Sequence, residues 1–297
     1  MKIKKFIGID IGGTTIKYSI INESGEILFH SKTATDIRKG IDFLESKLVD
    51  IVHSLMLKAE HIQGVGISTT GCVHSKTGEI VHAGNTMPDY TGTNLKQLIE
   101  KEFHITTSVN NDVNAAALGE AWIGAARDIN TFFCLTLGTG IGGAFVIDKK
   151  LSVGRNFRAG EIGYLRKDEF GKSFEDKAAT SALIRTGREK LQNEHIDGKE
   201  LFDLAKTGDE TCNRIIDQWC NELSKGIADI ICILDPGVII IGGAVSQQGT
   251  YLIEKIRESL KQYVPTTFAE STVLKIAQCG NDAGMLGAVY PFLNDGS

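Results

Sequence analysis

The sequence predicts an α/β protein built from two similar lobes, and three observations carry that prediction. Its 297 residues exceed one small domain and suit two of ordinary size, with 42% hydrophobic content to fill their cores. Strand-like runs alternate with segments of helical spacing along the whole chain. Above all, one pattern occurs twice. Phe6-Ile-Gly-Ile-Asp-Ile-Gly12 and Phe132-Phe-Cys-Leu-Thr-Leu-Gly138 match, and each then turns on glycine and threonine into another strand. Such a repeat implies a duplicated strand–turn–strand unit.

Taken in order, the apolar runs predict strands over 6–11, 15–21 and 26–31, with "NESG" (22–25) as a hairpin turn. Ile41, Leu44, Leu48, Ile51 and Leu55 recur at helical spacing and predict a helix over 41–57. A strand follows over 62–68, then a Gly/Thr/Asn-rich loop to about 94, a helix over 94–103, a strand over 106–110 and a helix from Val113. The pattern restarts at "TFFCLTLGTGIGGAFVI" (131–147). Helices are expected over 178–192 and 210–234, a strand over 237–242, and further helices near 249–261 and 282–293. With four prolines and no low-complexity tract, no flexible linker is marked. The expected division is a first lobe over 1–118, completed by the C-terminal helix 282–297, and a second lobe over 119–281.

Composition excludes several classes. A net charge of −5 with scattered lysines and arginines does not suggest a nucleic-acid surface. The longest apolar run, 237–245, is far too short for a membrane span. The basic start reaches Asp10 before a signal-peptide core can form, so a soluble cytoplasmic protein is expected. The six cysteines form no CxxC pair and have no histidines at metal-ligand spacing. Apolar settings such as "FFCLTL" around Cys134 and "IICIL" around Cys232 predict buried thiols in a reducing compartment.

The glycine turns carry the chemistry. In "FIGIDIGGTTIKYSI" (6–20) two strands flank a turn with an aspartate at its edge. It reads as an ordinary tight hairpin or as a cradle of backbone N–H groups for an anion. Two such turns facing one another can hold a polyphosphate. "GTGIGG" (138–143) satisfies the dinucleotide fingerprint in form, but it opens onto the β-rich "AFVID" and not onto a helix, which weakens a nicotinamide oxidoreductase reading. "GKS" (171–173) lacks the upstream glycine of a P-loop, Arg166 standing in its place. Gly242 and Gly243, after the strand "VIII" (238–241), suit either a flat group lying on the backbone or tight helix–strand packing. Asp112 precedes "VNAAALGEAW" and, on the residues alone, reads as the cap of that helix.

"DIGGTTIK" (10–17), "NNDVNAAALGEAWIG" (110–124), "LTLGTGIGGA" (135–144), "RAGEIGY" (158–164), "DPGVIIIGGAV" (235–245) and "DAGMLGAVY" (282–290) occur in that order across essentially the whole chain. Together they resemble the ROK family of bacterial sugar kinases, members of the actin/hexokinase (ribonuclease H-like) superfold. The resemblance implies two lobes around a nucleotide cleft, ATP with Mg²⁺, a small sugar substrate and a homodimer. It implies that Gly12, Gly13, Thr14 and Thr15 cradle phosphates, that Asp10 holds the hydrated metal, and that Lys17 adds positive charge. Gly138, Thr139 and Gly140 then close on the phosphates from the other lobe, and Gly242 and Gly243 take the adenosine. Asp112 becomes the catalytic base, and Gly71, Asn85, Asn111 and Glu161 contact the sugar. ROK repressors add an N-terminal DNA-binding region; with the first motif at residue 10, none is expected here.

The chain departs from many members at one place. Tyr164 stands where they have a histidine, and 165–183 holds no cysteine, so their structural zinc site is not expected here. Glu175 falls near the last, sugar-binding glutamate of that motif, with Asp176 as a rival. The zinc-less loop makes the chain most like bacterial β-glucoside kinases, which phosphorylate a 6-hydroxyl of cellobiose-type disaccharides. Glucokinase and N-acetylmannosamine kinase are the close alternatives, and a non-catalytic sugar sensor on the same fold is a remoter one.

Overall fold

The duplicated hairpin grows into two sheets of one topology. The computed structural model describes residues 3–84, 87 and 89–293, and the elements below are those of the described residues. β1 (Lys5–Ile11), β2 (Thr15–Asn22) and β3 (Ile27–Ala34) form an antiparallel meander, followed by α1 (Ile41–Lys58) and β4 (Ile62–Thr69). A small hairpin, β5 (Cys72–Val73) and β6 (Ile80–His82), leads to α2 (Leu95–Phe103), β7 (Thr107–Asn111) and α3 (Asp112–Ile123). The sheet order is β3-β2-β1-β4-β7, with β4 and β7 parallel to β1.

The second sheet repeats this. β8 (Phe132–Leu137), β9 (Ile141–Ile147) and β10 (Lys150–Leu151) are its meander. Four helices follow: α4 (Phe174–Ala178), α5 (Thr180–Leu191), α6 (Gly198–Lys206) and α7 (Glu210–Leu234). Then come β11 (Val238–Gly242), α8 (Thr250–Leu260), α9 (Thr266–Ser271) and β12 (Val273–Ile276). The order β10-β9-β8-β11-β12, with β11 parallel to β8 and to β12, is that of the first sheet. The chain divides into two compact units. One holds the residues up to Asp128, Leu151–Ala159 and the chain from Asn281 onward, and the other holds Ile129–Lys150 and Gly160–Gly280. Residue 118, the expected boundary, falls inside α3.

The short elements are the ones that the sequence pattern does not announce. The helix expected over 178–192 is α5, and a separate short helix, α4, precedes it, with Ala179 extended between the two. The carbonyls of Ala178 and Ala179 are satisfied at the break by the indole N–H of Trp219, at 2.9 and 3.1 Å. β12 is an edge strand in which Leu274 alone is buried, so its alternation is faint. The helix expected over 282–293 is α10 (Ala283–Val289), with a tighter 3₁₀ turn over Tyr290–Leu293, where Pro291 has no N–H to continue the α pattern. Cys72, Cys134, Cys212 and Cys220 are buried as expected, but Cys232 is exposed. It shares the outward side of α7 with Ile233, and the core contacts of that last turn come from Ile230 and Ile231.

α10 closes the first unit by lying against glycine. A Cβ on Gly8 of β1 would stand 2.8 Å from the Met285 carbonyl, and one on Gly119 of α3 would stand 2.7 Å from that of Ala283. A Cβ on Gly66 of β4 would overlap the Ala288 carbonyl, and one on Gly287 would overlap that of Ala115. Backbone has been brought to backbone, which only residues without a Cβ permit. Helix propensity alone predicts that Gly287→Ala stabilises by about 0.8–1 kcal/mol. The slot predicts the opposite sign, a loss of about 2 kcal/mol or more from overpacking. A thermal or urea unfolding comparison decides it, and an unchanged or raised midpoint contradicts the slot.

Candidate active site

In the first unit the register of three strands assembles a polar row. Asp10 is the cross-strand partner of Lys17 on β2 and of Ser68 on β4, and Ser68 is paired in turn with Asn110 on β7. The Ser68 hydroxyl, fully buried, donates to Asp10 Oδ1 at 2.8 Å. Lys17 Nζ donates to Asp10 Oδ2 at 3.3 Å and to the Asn281 carbonyl at 3.0 Å. On the remaining side sits Gly284 of α10, whose missing Cβ would come 2.7 Å from Asp10 Oδ1. The carboxylate is thus held from β2, β4 and α10, yet its side chain keeps 18% exposure. A carboxylate so held suits a hydrated divalent cation.

One residue beyond Asp10 and Ile11 the chain makes the first turn. Gly12 N–H donates to the Thr15 carbonyl at 3.0 Å, leaving Gly13 and Thr14 exposed at the apex. Thr35 braces it from β3's end, its hydroxyl donating to the Gly12 carbonyl at 2.6 Å. The turn is therefore a tight hairpin and an exposed pair of amides at once. Gly12 and Gly13 do not take positive φ, and a Cβ on Gly13 would meet nothing within 4 Å. No neighbour within the protein requires a glycine there; the space above it is open to a ligand.

β7 ends in the same place. Asn111, and not Asp112, caps α3: its Oδ1 accepts from Val113 and Asn114 N–H at 2.9 and 3.1 Å. Asp112 is the first helical residue and is exposed, its Oδ1 accepting from Val113 N–H at 2.9 Å. Asn111 Nδ2 also donates to the Gly71 carbonyl at 3.0 Å, which joins two of the expected sugar contacts. Only its second amide hydrogen then remains to meet a ligand. Asn85 lies outside the described residues.

The second unit carries the matching turn at 138–140. Gly138 N–H donates to the Gly140 carbonyl at 2.9 Å, and Thr139 is exposed at the apex. α5 braces it from below: Ser181 Oγ donates to the Thr139 carbonyl at 2.6 Å and Thr180 Oγ1 to that of Leu137 at 3.1 Å. Glu175 Oε2 accepts from Ile141 N–H at 2.8 Å. "GTGIGG" opens onto β9, not a helix, as its sequence predicts. At the end of β11, Gly242 is buried against Thr136 and Ala277, while Gly243 is exposed. Gly243 has φ +93°, and a Cβ on it would overlap the Leu137 carbonyl, so both conformation and space demand glycine. Glu161 precedes a short 3₁₀ turn over Ile162–Tyr164 and Tyr164 ends it; both are exposed, the tyrosine by 63%. Asp176 belongs to the capping box of α4. The Ser173 N–H and hydroxyl both donate to it at 2.8 Å, and they hold its carboxyl below the usual carboxylate range.

Sequence reasoning missed Ser68, Thr35, Thr180 and Ser181. Each is a small hydroxyl residue at an element end, a signal too common to single out without the register. A cavity of about 450 Å³ elsewhere in the second unit holds none of the expected residues. Three of the cations that line it are paired within the protein, Arg166 with Asp229, Lys177 with Asp168 and Lys225 with Glu222. Among the described residues, no group of three or more histidines, cysteines, aspartates or glutamates is placed to hold a metal ion, and no helix is long and apolar enough to cross a membrane.

The family model for the ROK family matches residues 6–294. The chain belongs to the ROK family. Among relatives, an uncharacterised protein of Clostridium perfringens is 39% identical over 97% of both chains. A β-glucoside kinase of Listeria monocytogenes is 32% identical, covering 99% of this chain and 98% of its own. Among solved structures, a ROK family glucokinase from Streptomyces griseus, in complex with glucose and AMPPNP, superposes with a TM-score of 0.82 at 28% identity, over 96% of this chain and 97% of that one.

The capping geometry separates two neighbouring residues by their effect on stability. Asn111→Ala removes the cap and the Gly71 tether, and is expected to cost about 1–2 kcal/mol. Asp112→Asn leaves the cap in place and is expected to cost less than about 1 kcal/mol, the worth of a carboxylate in a helix's first turn. Thermal unfolding of both variants checks this, and equal losses contradict the assignment of the cap to Asn111.

Proposed function

We propose that the chain is an ATP-dependent sugar kinase that phosphorylates the 6-hydroxyl of a glucosyl unit, with a β-linked diglucoside of the cellobiose type as substrate. One observation carries the reading. Asp10 on β1 and Asp112, the residue after β7, stand toward the carboxyl ends of parallel strands in one sheet, joined across the register by Ser68 and Asn110. Open α/β sheets bind ligands at those ends. Phosphoryl transfer needs two carboxylates of different duty there, one for a metal ion and one for a proton.

The residues fit ATP and Mg²⁺. The exposed apex of Gly13 and Thr14, with open space at Gly13, suits phosphate oxygens, and the Asp10 carboxylate suits a hydrated Mg²⁺. When bound, the metal neutralises charge that develops on the transferring phosphoryl group. The amides of Gly13 and Thr14 donate to phosphate oxygens, and Lys17 adds its charge while orienting Asp10. Asp112 accepts the proton of the sugar 6-hydroxyl as the new O–P bond forms and the bond to ADP breaks. Asn111 and Glu161 orient sugar hydroxyls. In the second unit the Thr139–Gly140 turn serves phosphate and Gly243 serves the adenosine.

Relatives named β-glucoside kinase and glucokinase align over similar lengths at similar identity, so one feature of the chain itself supports the diglucoside over glucose or N-acetylmannosamine. The Tyr164 ring, where zinc-bearing members carry histidine, is 63% exposed and offers a face for a second sugar ring.

Asp112→Asn keeps the shape and removes the proton acceptor, so turnover is expected to fall by roughly 10²–10⁴-fold. A coupled assay of ADP release checks this, and near-normal turnover sinks the base assignment. In the same assay cellobiose is expected to show a higher kcat/KM than glucose or N-acetylmannosamine. A monosaccharide that wins by tenfold, about 1.4 kcal/mol in transition-state binding, overturns the diglucoside reading while leaving the kinase intact.

A further inference from the structure

Two neighbouring residues of β4 serve opposite faces of the sheet. Ser68 turns to Asp10, and Thr69, by the alternation of a strand, turns to the other side. There its Oγ1 stands 2.7 Å from the phenolic oxygen of Tyr90. Both residues are fully buried. The Thr69 hydroxyl also reaches the Thr70 carbonyl, at 3.5 Å. When it donates there, the phenol is the donor to Thr69. Burial pushes the phenol above its ordinary range, against the pull of Thr69, so it stays a neutral hydrogen-bonding group. Tyr90 is itself anchored to β6. Its carbonyl accepts from Thr93 N–H at 3.2 Å, while Ile80 of β6 donates to the Thr93 carbonyl at 2.9 Å and accepts from Gly92 N–H at 2.8 Å.

We propose that Tyr90 is a positioning residue for the sugar: through Thr69 its hydroxyl fixes the ends of β4 and β7, from which Gly71 and Asn111 act, and it has no part in holding the nucleotide. The inference rests on the kinase reading, in which Gly71 and Asn111 meet the sugar. Thr69 is the last residue of β4 and the cross-strand partner of Asn111, the last of β7. Asn111 Nδ2 in turn donates to the carbonyl of Gly71, two residues beyond Thr69, at 3.0 Å. Gly71 leaves the strand at φ +93°, and the space of its missing side chain is closed by the His82 carbonyl at 2.7 Å. A shift at Thr69 therefore passes to both residues placed at the sugar. Asp10 is spared, because Ser68 and Lys17 hold its carboxylate from the opposite face.

The test combines thermal unfolding with steady-state KM values for ATP and for whichever of cellobiose, glucose and N-acetylmannosamine the wild-type protein turns over best. Tyr90→Phe keeps the ring in the core and removes the hydroxyl. It is expected to raise the KM for sugar by about tenfold and to leave that for ATP within about twofold. Thr69→Val strands a buried phenol and is expected to do the same with a larger loss of stability. Thr69→Ser keeps the hydroxyl and is expected to hold the sugar KM within about twofold of wild type. The double variant Tyr90→Phe/Thr69→Val separates positioning from packing, whether or not Thr69→Val folds alone. It strands neither hydroxyl, so its unfolding midpoint is expected to recover above that of Thr69→Val. The tie is still absent, so the sugar KM is expected to stay raised. A sugar KM that recovers with the midpoint, that never rises in Tyr90→Phe, or that rises no more than the KM for ATP overturns the proposal. A wild-type protein that releases ADP with none of the three sugars brings down the kinase reading itself, and the inference with it.

Discussion

The approach of α10 to its neighbours is the constraint from which the first unit's chemistry follows. Gly8, Gly66 and Gly119 clear a slot on β1, β4 and α3, and Gly284 and Gly287 let the helix enter it. At Gly8, Gly66, Gly119 and Gly287 the missing side chain is met by backbone, and at Gly284 by the Asp10 carboxylate, so α10 has little room to shift. Two consequences reach the candidate site. Gly284 brings the helix backbone against Asp10, and the start of the helix presents the Asn281 carbonyl to Lys17. The carboxylate at the end of β1 is thereby held by a segment more than 260 residues away in sequence.

β-register does the rest. Because side chains alternate along a strand, pairing Asp10 with Lys17 and Ser68 puts all three on one face, and a one-residue slip would disperse them. β7 extends the row through Asn110, and its last residue, Asn111, caps α3. Assigning the cap to Asn111 relieves Asp112 of a structural duty that its position before an apolar helix suggests. The second sheet shows the same construction with a different holder. Its turn is braced by α5 hydroxyls and by Glu175, where the first is braced by Thr35 and strand pairing.

Much of this was legible in the sequence. Strands buried on both faces, such as β1 and β11, and long helices such as α7, announce themselves through continuous or periodic apolar residues. The repeat of 6–12 at 132–138 foretold two sheets of one kind. α4, α9 and β12 were not foreseen, because each is short and buries few residues, so packing and not periodicity decides it; α6 was passed over although Leu201, Phe202 and Ala205 share one helical face. In the site, the glycine turns and Asp10, Lys17 and Asp112 could be picked out by type and spacing. Ser68 could not, since its importance lies in a register that pairs residues 58 apart. Gly242 and Gly243 look alike in sequence, and only the strand end separates the buried one from the exposed one. Glu175 and Asp176 are likewise adjacent carboxylates, and the capping box takes one while the turn takes the other.

The central claim is that the apex of the first hairpin is a phosphate cradle and not merely a tight turn. Amide NMR of the ¹⁵N-labelled protein, titrated with Mg²⁺–AMPPNP, reads this directly. Donation from backbone N–H groups to phosphate oxygens shifts the amides that donate, so the account predicts saturable shifts at Gly13 and Thr14 that rank among the largest in the spectrum. Binding of the nucleotide with those two amides unmoved would contradict it.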